Sequence, residues 1–329
     1  MSDPFFSIVI TTYNRAGIVR RCLDSTLAQG FADFEVVVVD DGSEDGTAET
    51  LRRAYDDPRL RVVRHEDNRG INPARHTGVA TATGAWVVVI DSDDELLPGA
   101  LERMRELIDE LPPGVRVLRC RQLHDGGRVT PTFVPDGPYG YEGRIRWADA
   151  EGGNDASRCI AREVFDGTPY IDGRRGAMEM LFELNLAEAE TSVCVDEVLT
   201  ILHHDAGNSW LRAVDAGSVI PRLRREAPDM LWMAETVLER HGEALRRWGP
   251  RQYVTALRIG ATQAFLLGRR RRGARLALRA LRRDPLAPAA WITLALGLLG
   301  PAAVARGALA HRRLSAYAEA RARASTAAP

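Results

Sequence analysis

The tightest constraint on this chain is an alternation in its first 115 residues. Phe6 to Thr11 (FSIVIT), Phe34 to Val39 (FEVVVV), Leu60 to His65 and Trp86 to Ile90 (WVVVI) are short, mostly apolar, β-branched runs that read as strands. Segments of helical spacing separate them. Residues 16–29 put Ile18, Val19, Cys22, Leu23 and Leu27 on one face, 45–55 reads as a polar helix, and Pro73 to Ala82 as a small-residue helix. Pro98 to Leu111 follows as a helix with proline near its first turn. A run apolar on both faces needs cover on both sides. Strands alternating with helices imply a parallel sheet with right-handed crossovers, so the expected class is α/β.

Ligands of open α/β sheets bind beyond the carboxyl ends of the strands. The polar clusters of this chain fall there. Thr11, Tyr13 and Asn14 end the first run, Asp40-Asp41-Gly42-Ser43 the second, and Asp91-Ser92-Asp93-Asp94 the fourth. Three clusters on three strands are expected to converge on one edge.

Composition removes several alternatives. All 44 basic residues are arginine; there is no lysine. A P-loop, a protein kinase and a Schiff-base enzyme each need one, and a receiver domain carries one late in its sheet. The first turn lacks a GxGxxG fingerprint, which argues against a Rossmann oxidoreductase. A formal net charge of −1 without a recognition motif argues against nucleic acid as a partner. Cys22, Cys120, Cys159 and Cys194 are too scattered for a metal or redox motif and read as buried hydrophobes. No basic segment opens the chain as a signal peptide would, so a cytoplasmic protein is expected. The all-arginine, alanine-rich composition suits a GC-rich bacterial genome.

Residues 116–212 are less regular. They hold a Gly/Pro/aromatic loop (131–147), a mixed segment (154–172), a helix around 176–189 and a short strand from Val193 to Leu202. From about 213 the chain turns helical. Residues 251–329 contain 15 arginines against Asp284 and Glu319, a formal charge of about +13.

Several carboxylates at the end of a buried strand are costly unless a cation sits among them. Mg²⁺ or Mn²⁺ resolves that cost with one or two carboxylates, substrate phosphates and water, so Asp91, Asp93 and Asp94 suggest a metal–diphosphate site. An exposed acidic turn before the next helix is the plainer alternative. A carboxylate such as Asp40 can accept the N3–H of uracil or thymine, with the ring of Tyr13 and Thr11 beside it. The plainer alternative there is a turn in which Asp41, Gly42 and Ser43 shape the next helix, and both readings can hold together.

The ordered series Ser7-Ile8-Val9-Ile10-Thr11-Thr12-Tyr13-Asn14-Arg15, Val38-Val39-Asp40-Asp41-Gly42-Ser43 with Asp45-Gly46-Thr47, Asn68-Arg69-Gly70 with Ala74-Arg75, then Gly84 and Ile90-Asp91-Ser92-Asp93-Asp94 resembles family 2 glycosyltransferases of the GT-A fold, a Rossmann-like nucleotide-diphospho-sugar transferase architecture. The resemblance covers residues 5–112 strongly and extends more weakly to about 212. It implies an inverting glycosyl transfer (hexosyl or related) from a nucleotide-diphospho-sugar, assisted by Mg²⁺ or Mn²⁺, to an unidentified glycan or small-molecule acceptor. UDP is the first expectation for the donor, dTDP the next and GDP third. It also implies three regions: residues 1–115 binding the nucleotide-sugar, 116–212 binding the acceptor, and 213–329 a helical, Arg-rich extension.

Carried onto this chain, the resemblance gives Thr11, Tyr13 and Asp40 to the base and Arg75 to the vicinity of the donor. Asp91 and Asp93 serve ribose and metal, and Asp94 joins as a second metal ligand. The family's base is an Asp in an acidic pair opening a helix of the acceptor half. Here the pair is Met178-Glu179, so Glu179 is the candidate base and Glu183, one turn on, its rival. His76 replaces an Asn and Asn185 an Arg of the family pattern, and His203-His204 stands where Tyr-Arg is common. Either histidine is a candidate metal or diphosphate ligand, and Trp147, Asn154 and Asp155 are candidate acceptor contacts. A nucleotidyltransferase and a non-catalytic nucleotide-sugar-binding protein remain as alternatives.

The tail is expected to form a helical hairpin packed on the catalytic domain or across a homodimer. Residues 285–305 carry no charge, and Arg269 to Arg272 precede them, so peripheral contact at the inner face of the membrane is the alternative. The prolines and glycines of that stretch argue against a full span.

Overall fold

The structure is a computed structural model that describes residues 3–152, 156–203, 216–311 and 313. The alternation of the first hundred residues is realised as β1 (Phe6–Thr12), α1 (Val19–Leu27), β2 (Phe34–Asp40), α2 (Thr47–Ala54), β3 (Leu60–Arg64), α3 (Ile71–Thr81), β4 (Trp86–Asp91), a short β5 (Glu95–Leu96) and α4 (Ala100–Asp109). The chain continues through β6 (Val117–His124), β7 (Val129–Thr130), α5 (Tyr141–Glu151), β8 (Ser157–Ala161), α6 (Val164–Gly167), α7 (Glu179–Ala189) and β9 (Ser192–Leu202). Helices follow: α8 (Ala216–Arg240), α9 (Gly242–Trp248), α10 (Pro250–Leu266), α11 (Arg270–Arg283) and α12 (Pro288–Leu299), with a further helical run at 301–311.

Among the described residues the strands form one nine-stranded sheet of order β3-β2-β1-β4-β8-β6-β9-β5, with β7 paired to β6. Strands β3, β2, β1 and β4 are parallel, as expected. Beyond them, in strands that but for β5 lie outside the first 115 residues that the expectation covers, the sheet is mixed. β8 runs antiparallel to both β4 and β6, and β9 is parallel to β6. The described part of 116–203 is also more regular than its sequence suggests, and the supposed loop 131–147 turns helical at Tyr141. Arg119, Arg121 and Arg158 interrupt the apolar pattern of β6 and β8, which hides two strands from a reading by hydropathy.

Alternation along the central strands sorts the core into two layers. Ile8, Ile10, Val36, Val38, Val88 and Ile90 face a cluster with Leu23, Leu101 and Met104 from α1 and α4. Val9, Val37, Val39 and Val87 face the other side, with Ala74, Val79, Phe165, Phe182 and Leu186. Each strand is covered twice, which is why it carries apolar side chains in both phases.

The described residues fall into two compact units. The first is drawn from Met1–Trp147, Gly153–Arg175 and Phe182–Ala206, the second from Ala148–Gly152, Gly176–Leu181 and Gly207–Pro329. In the second, α10 packs against α8, α11 and α12. No described helix is long and apolar enough to cross a membrane.

Gly84 precedes β4 at a point of close backbone approach. A Cβ there would stand 2.7 Å from the carbonyl carbon of Phe6 and the amide nitrogen of Ser7, and neither can swing aside as a side chain would. Gly84→Ala is therefore expected to destabilise the protein by about 2 kcal/mol, read as a lower midpoint in urea unfolding.

Candidate active site

The site is assembled by strand register. β1 lies between β2 and β4, parallel to both. Thr12 pairs with Asp40, Thr11 with Asp91, and Asp40 in turn with Arg64. Neighbouring strands lie about 4.8 Å apart, so the three polar clusters occupy one end of the sheet. That juxtaposition is the convergence expected from sequence.

Asp40 and Asp41 have separate roles. Asp40 is wholly buried. One of its oxygens accepts the backbone N–H of Ser43 at 3.0 Å. The other receives no hydrogen bond from a described residue and lies 3.6 Å from Nε of Arg64. The buried hydroxyl of Thr12, its register partner, is likewise without a hydrogen-bond partner among the described residues. Asp41 is saturated instead. It accepts from His65 Nδ1 at 2.7 Å and from the backbone N–H groups of Arg69 and Gly70 at 2.9 and 2.7 Å. The Thr77 hydroxyl at 2.9 Å from His65 Nε2 fixes the ring's other side. Asp41 thus holds the 65–70 segment rather than its own turn. Gly42 completes the arrangement: its φ is +74°, and a Cβ would fall 2.5 Å from the carbonyl carbon of Asp67.

The loop after β1 turns on Asn14, whose φ of +53° makes it the one non-glycine with positive φ among the described residues. Asparagine tolerates that region because its short side chain bonds locally. Here its Oδ1 accepts from the Glu44 N–H at 2.8 Å, and its own N–H donates to Ser43 Oγ at 2.8 Å. Tyr13, 38% exposed, stands at the same loop. The turn aims Arg15 at the fourth-strand cluster. Arg15 Nη1 donates to Ser92 Oγ at 3.1 Å and to Asp93 Oδ1 at 2.7 Å. Arg21 adds a bond to the Asp93 carbonyl at 2.7 Å. Arg15 stood inside the first motif, yet its partnership with Asp93, 78 residues away, has no signal in the sequence.

The carboxylates of the cluster differ electrostatically. Asp91 is half-exposed and accepts Nη2 of the buried Arg75 at 2.9 Å. Desolvation alone would raise its pKa; Arg75, with Arg15 and Arg158, outweighs it and lowers it. Burial and neighbouring Asp91 raise Asp93 against the pull of Arg15. Asp94 is pushed up to about 9 by burial, Asp91 and Asp93. Its Oδ1 accepts the backbone N–H of His203 at 3.2 Å. The His203 ring turns to Glu95, with Nε2 at 2.9 Å from Oε1. The β5–β9 pairing brings His203 here, but its imidazole pairs with a carboxylate that the motif does not include. Among the described residues, no three His, Cys, Asp or Glu side chains gather so as to hold a metal unaided.

Glu179 is the first residue of α7 and is half-buried. Glu183 is buried and sits in a cage of three arginines, which overturns it as a rival base. Arg119 Nη2 lies at 2.8 Å and Arg144 Nη2 at 3.0 Å from its Oε2, and Arg158 pairs with Oε1. Burial would raise this carboxyl, but Arg119, Arg158 and Arg144 hold it well below the usual range. A carboxylate so stabilised is a weak proton acceptor. The same Arg158 helps to lower Asp91, so the cage reaches the site electrostatically. Trp147 is buried, donates its indole N–H to the Phe133 carbonyl at 3.0 Å and packs edge-on against Tyr139. It belongs to a small buried cluster with Tyr139, Ala156 and Cys194. Asn154, Asp155 and His204 lie outside the described residues.

A mixed sheet with a parallel nucleotide-type half and acidic tips gathered at its carboxyl end defines the GT-A class. Two solved structures share the architecture. S. aureus TarS 1–349 in complex with UDP-GlcNAc aligns with a TM-score of 0.56 and 20% identity over 85% of this chain and 88% of its own. The mannosyltransferase PcManGT from Pyrobaculum calidifontis, in complex with GDP-Man and Mn²⁺, aligns with a TM-score of 0.53 and 20% identity over 93% of this chain and 87% of its own.

Residues 7–148 match the model described as Glycosyl transferase family 2, so the chain carries a family 2 glycosyltransferase domain. The succinoglycan biosynthesis protein ExoO of Rhizobium meliloti is 43% identical over 106 residues, 32% of this chain and 30% of that protein. A PGL/p-HBAD biosynthesis glycosyltransferase of Mycobacterium tuberculosis is 37% identical over 134 residues, 39% of this chain and 52% of that protein. The chain spans about half or less of the length of these curated relatives.

Glu183→Gln would remove the shared counter-ion of the buried Arg119 and Arg144 and the half-buried Arg158. It is expected to cost about 3–5 kcal/mol of stability at neutral pH. Because the native pKa is depressed, this stabilisation is present above the carboxyl's ordinary 4.5 and is lost as pH falls through the native value. Unfolding midpoints from pH 7 downward should therefore fall more steeply for the wild type than for the variant.

Proposed function

We propose that this protein is an inverting glycosyltransferase that moves a sugar from a nucleoside-diphosphate donor to an acceptor hydroxyl. One observation carries the reading: the register that sets Thr11 and Thr12 beside Asp91 and Asp40 at one sheet end, with Arg15 tying the first loop to Asp93. The unsatisfied oxygen of Asp40 suits the N3–H of uracil or thymine, with Tyr13 exposed beside it for the base. UDP is the first expectation, dTDP the second. Arg75 holds Asp91 in its charged form, ready to accept from ribose hydroxyls.

The cluster fits one Mg²⁺ or Mn²⁺. Its donors are all carboxylates, as hard cations prefer, and burial with Asp91 and Asp93 beside it pushes Asp94 up to about 9, an imbalance a cation would relieve. Asp93 and Asp94 would hold the ion, with donor phosphates and water completing its shell. When bound, it supplies Lewis-acid stabilisation of the departing diphosphate. Arg15 orients Asp93 and opposes the rise that burial imposes on its pKa. Glu179 is assigned to take the acceptor proton as the hydroxyl attacks the anomeric carbon.

Asp93→Asn and Glu179→Gln are each expected to lower transfer by about a hundredfold or more. Titration calorimetry with UDP, dTDP and GDP, with and without Mn²⁺, tests the donor half separately. Tight binding indifferent to Mn²⁺ would remove the metal role of Asp93 and Asp94. Met178, buried where the family's acidic pair begins, favours a second reading, that of a nucleotide-sugar-binding protein without transferase activity. Donor binding without turnover by the wild type would establish it.

A further inference from the structure

The second unit carries a surface that sugar transfer does not require. Helix α12 has the sequence PAAWITLALGLL, without a charged side chain. Its exposed positions are Pro288, Trp291, Ile292, Ala295, Leu298 and Leu299, spaced three and four apart along one face. Its buried positions are Ala290 and Gly297. The large side chains are outside and the small ones inside, the reverse of an ordinary surface helix. Close packing enforces that orientation: a Cβ on Gly297 would fall 2.3 Å from the Phe265 ring. Nine large apolar side chains are exposed among the described residues, and five of them lie between Leu286 (89%) and Leu299 (75%). Apolar patches concentrated in this way mark interaction sites.

Positive charge flanks the stripe. Helix α11 contains no acidic residue, and it exposes Arg271, Arg275, Arg279 and Arg282. A cleft of about 510 Å³ joins α10 and α11 to the first turn of α12; Arg251, Arg258 and Arg283 line it against Asp284 alone. Neither the Arg251 nor the Arg258 guanidinium is hydrogen-bonded or ion-paired to a described residue. A second copy docked through a two-fold axis would present the same arginine-rich patch and add like charge to the seam. An anionic surface complements them.

We propose that the second unit docks on an anionic lipid bilayer. Helix α12 lies in the interfacial plane with Trp291, Ile292, Leu298 and Leu299 inserted, and the arginine cleft receives headgroup phosphates. At 12 residues the helix is about 18 Å long, so it rests on the bilayer and does not span it. The inference concerns this unit alone and does not depend on the transfer reading.

The test is flotation of the full chain with vesicles of phosphatidylcholine alone or mixed with phosphatidylglycerol, at low and high salt. The wild type should float with the anionic vesicles only, and less at high salt. Ile292→Glu/Leu298→Glu and Arg251→Gln/Arg258→Gln should each reduce flotation by about tenfold or more, with unchanged thermal midpoints because all four side chains are outside the core. Equal flotation with both vesicle types overturns the proposal, as does undiminished flotation of either double variant. Wild-type protein that stays in the buffer, or forms a lipid-free dimer by light scattering that the glutamates dissociate, overturns it as well.

Discussion

The parallel pairing of β1 with both β2 and β4 is the constraint on which the rest of the first unit depends. Parallel ladders point every strand's carboxyl end the same way. A central strand flanked on both sides therefore gathers three strand ends within a few ångströms. The apolar bodies of these strands make the register obligatory, because a slip of one residue would turn Ile8 and Ile10 to the layer meant for Val9. The carboxylates of Asp40 and Asp91 are brought together by the burial of valines and isoleucines that take no part in any chemistry.

Gathering acids at a sheet end creates an electrostatic problem, and the chain answers it with guanidinium groups at fixed distances. Arg75 pairs with Asp91, Arg15 clamps Asp93, and burial beside Asp91 and Asp93 pushes the Asp94 carboxyl up. Around Glu183 the pattern is inverted, with three arginines about one carboxylate. Arginine suits both places because it stays charged when desolvated and its planar fork bonds carboxylates in a defined geometry. The absence of lysine thus fits the way this protein organises buried charge.

Legibility from sequence followed the locality of the signal. The four parallel strands, their helices and the three polar clusters were readable because period-two and period-3.6 patterns and turn residues are local. The split between Asp40 and Asp41 was partly readable; that Asp41 serves the 65–70 segment was not, since its partners lie 24 to 29 residues away. Strands β6 and β8 were missed because Arg119, Arg121 and Arg158 break their apolar pattern. The burial of Arg119 and the partial burial of Arg158 depend on Glu183, which lies on a later helix. Trp147 looked like an acceptor-loop aromatic, and the helix that buries it could not be foreseen from a glycine-rich stretch.

The sequence by itself determined the α/β class, the order of the first four strands, the acidic and aromatic composition of the site and the family resemblance. Each of these is written in short-range pattern or in motif order. Only the tertiary structure decided which carboxylates are paired and which are left with an open oxygen, that Glu183 is a caged counter-ion, and that α12 shows its large apolar side chains to solvent. Those outcomes depend on distances between residues remote in the chain and on which side of a helix a neighbour fills, quantities that a linear pattern does not contain.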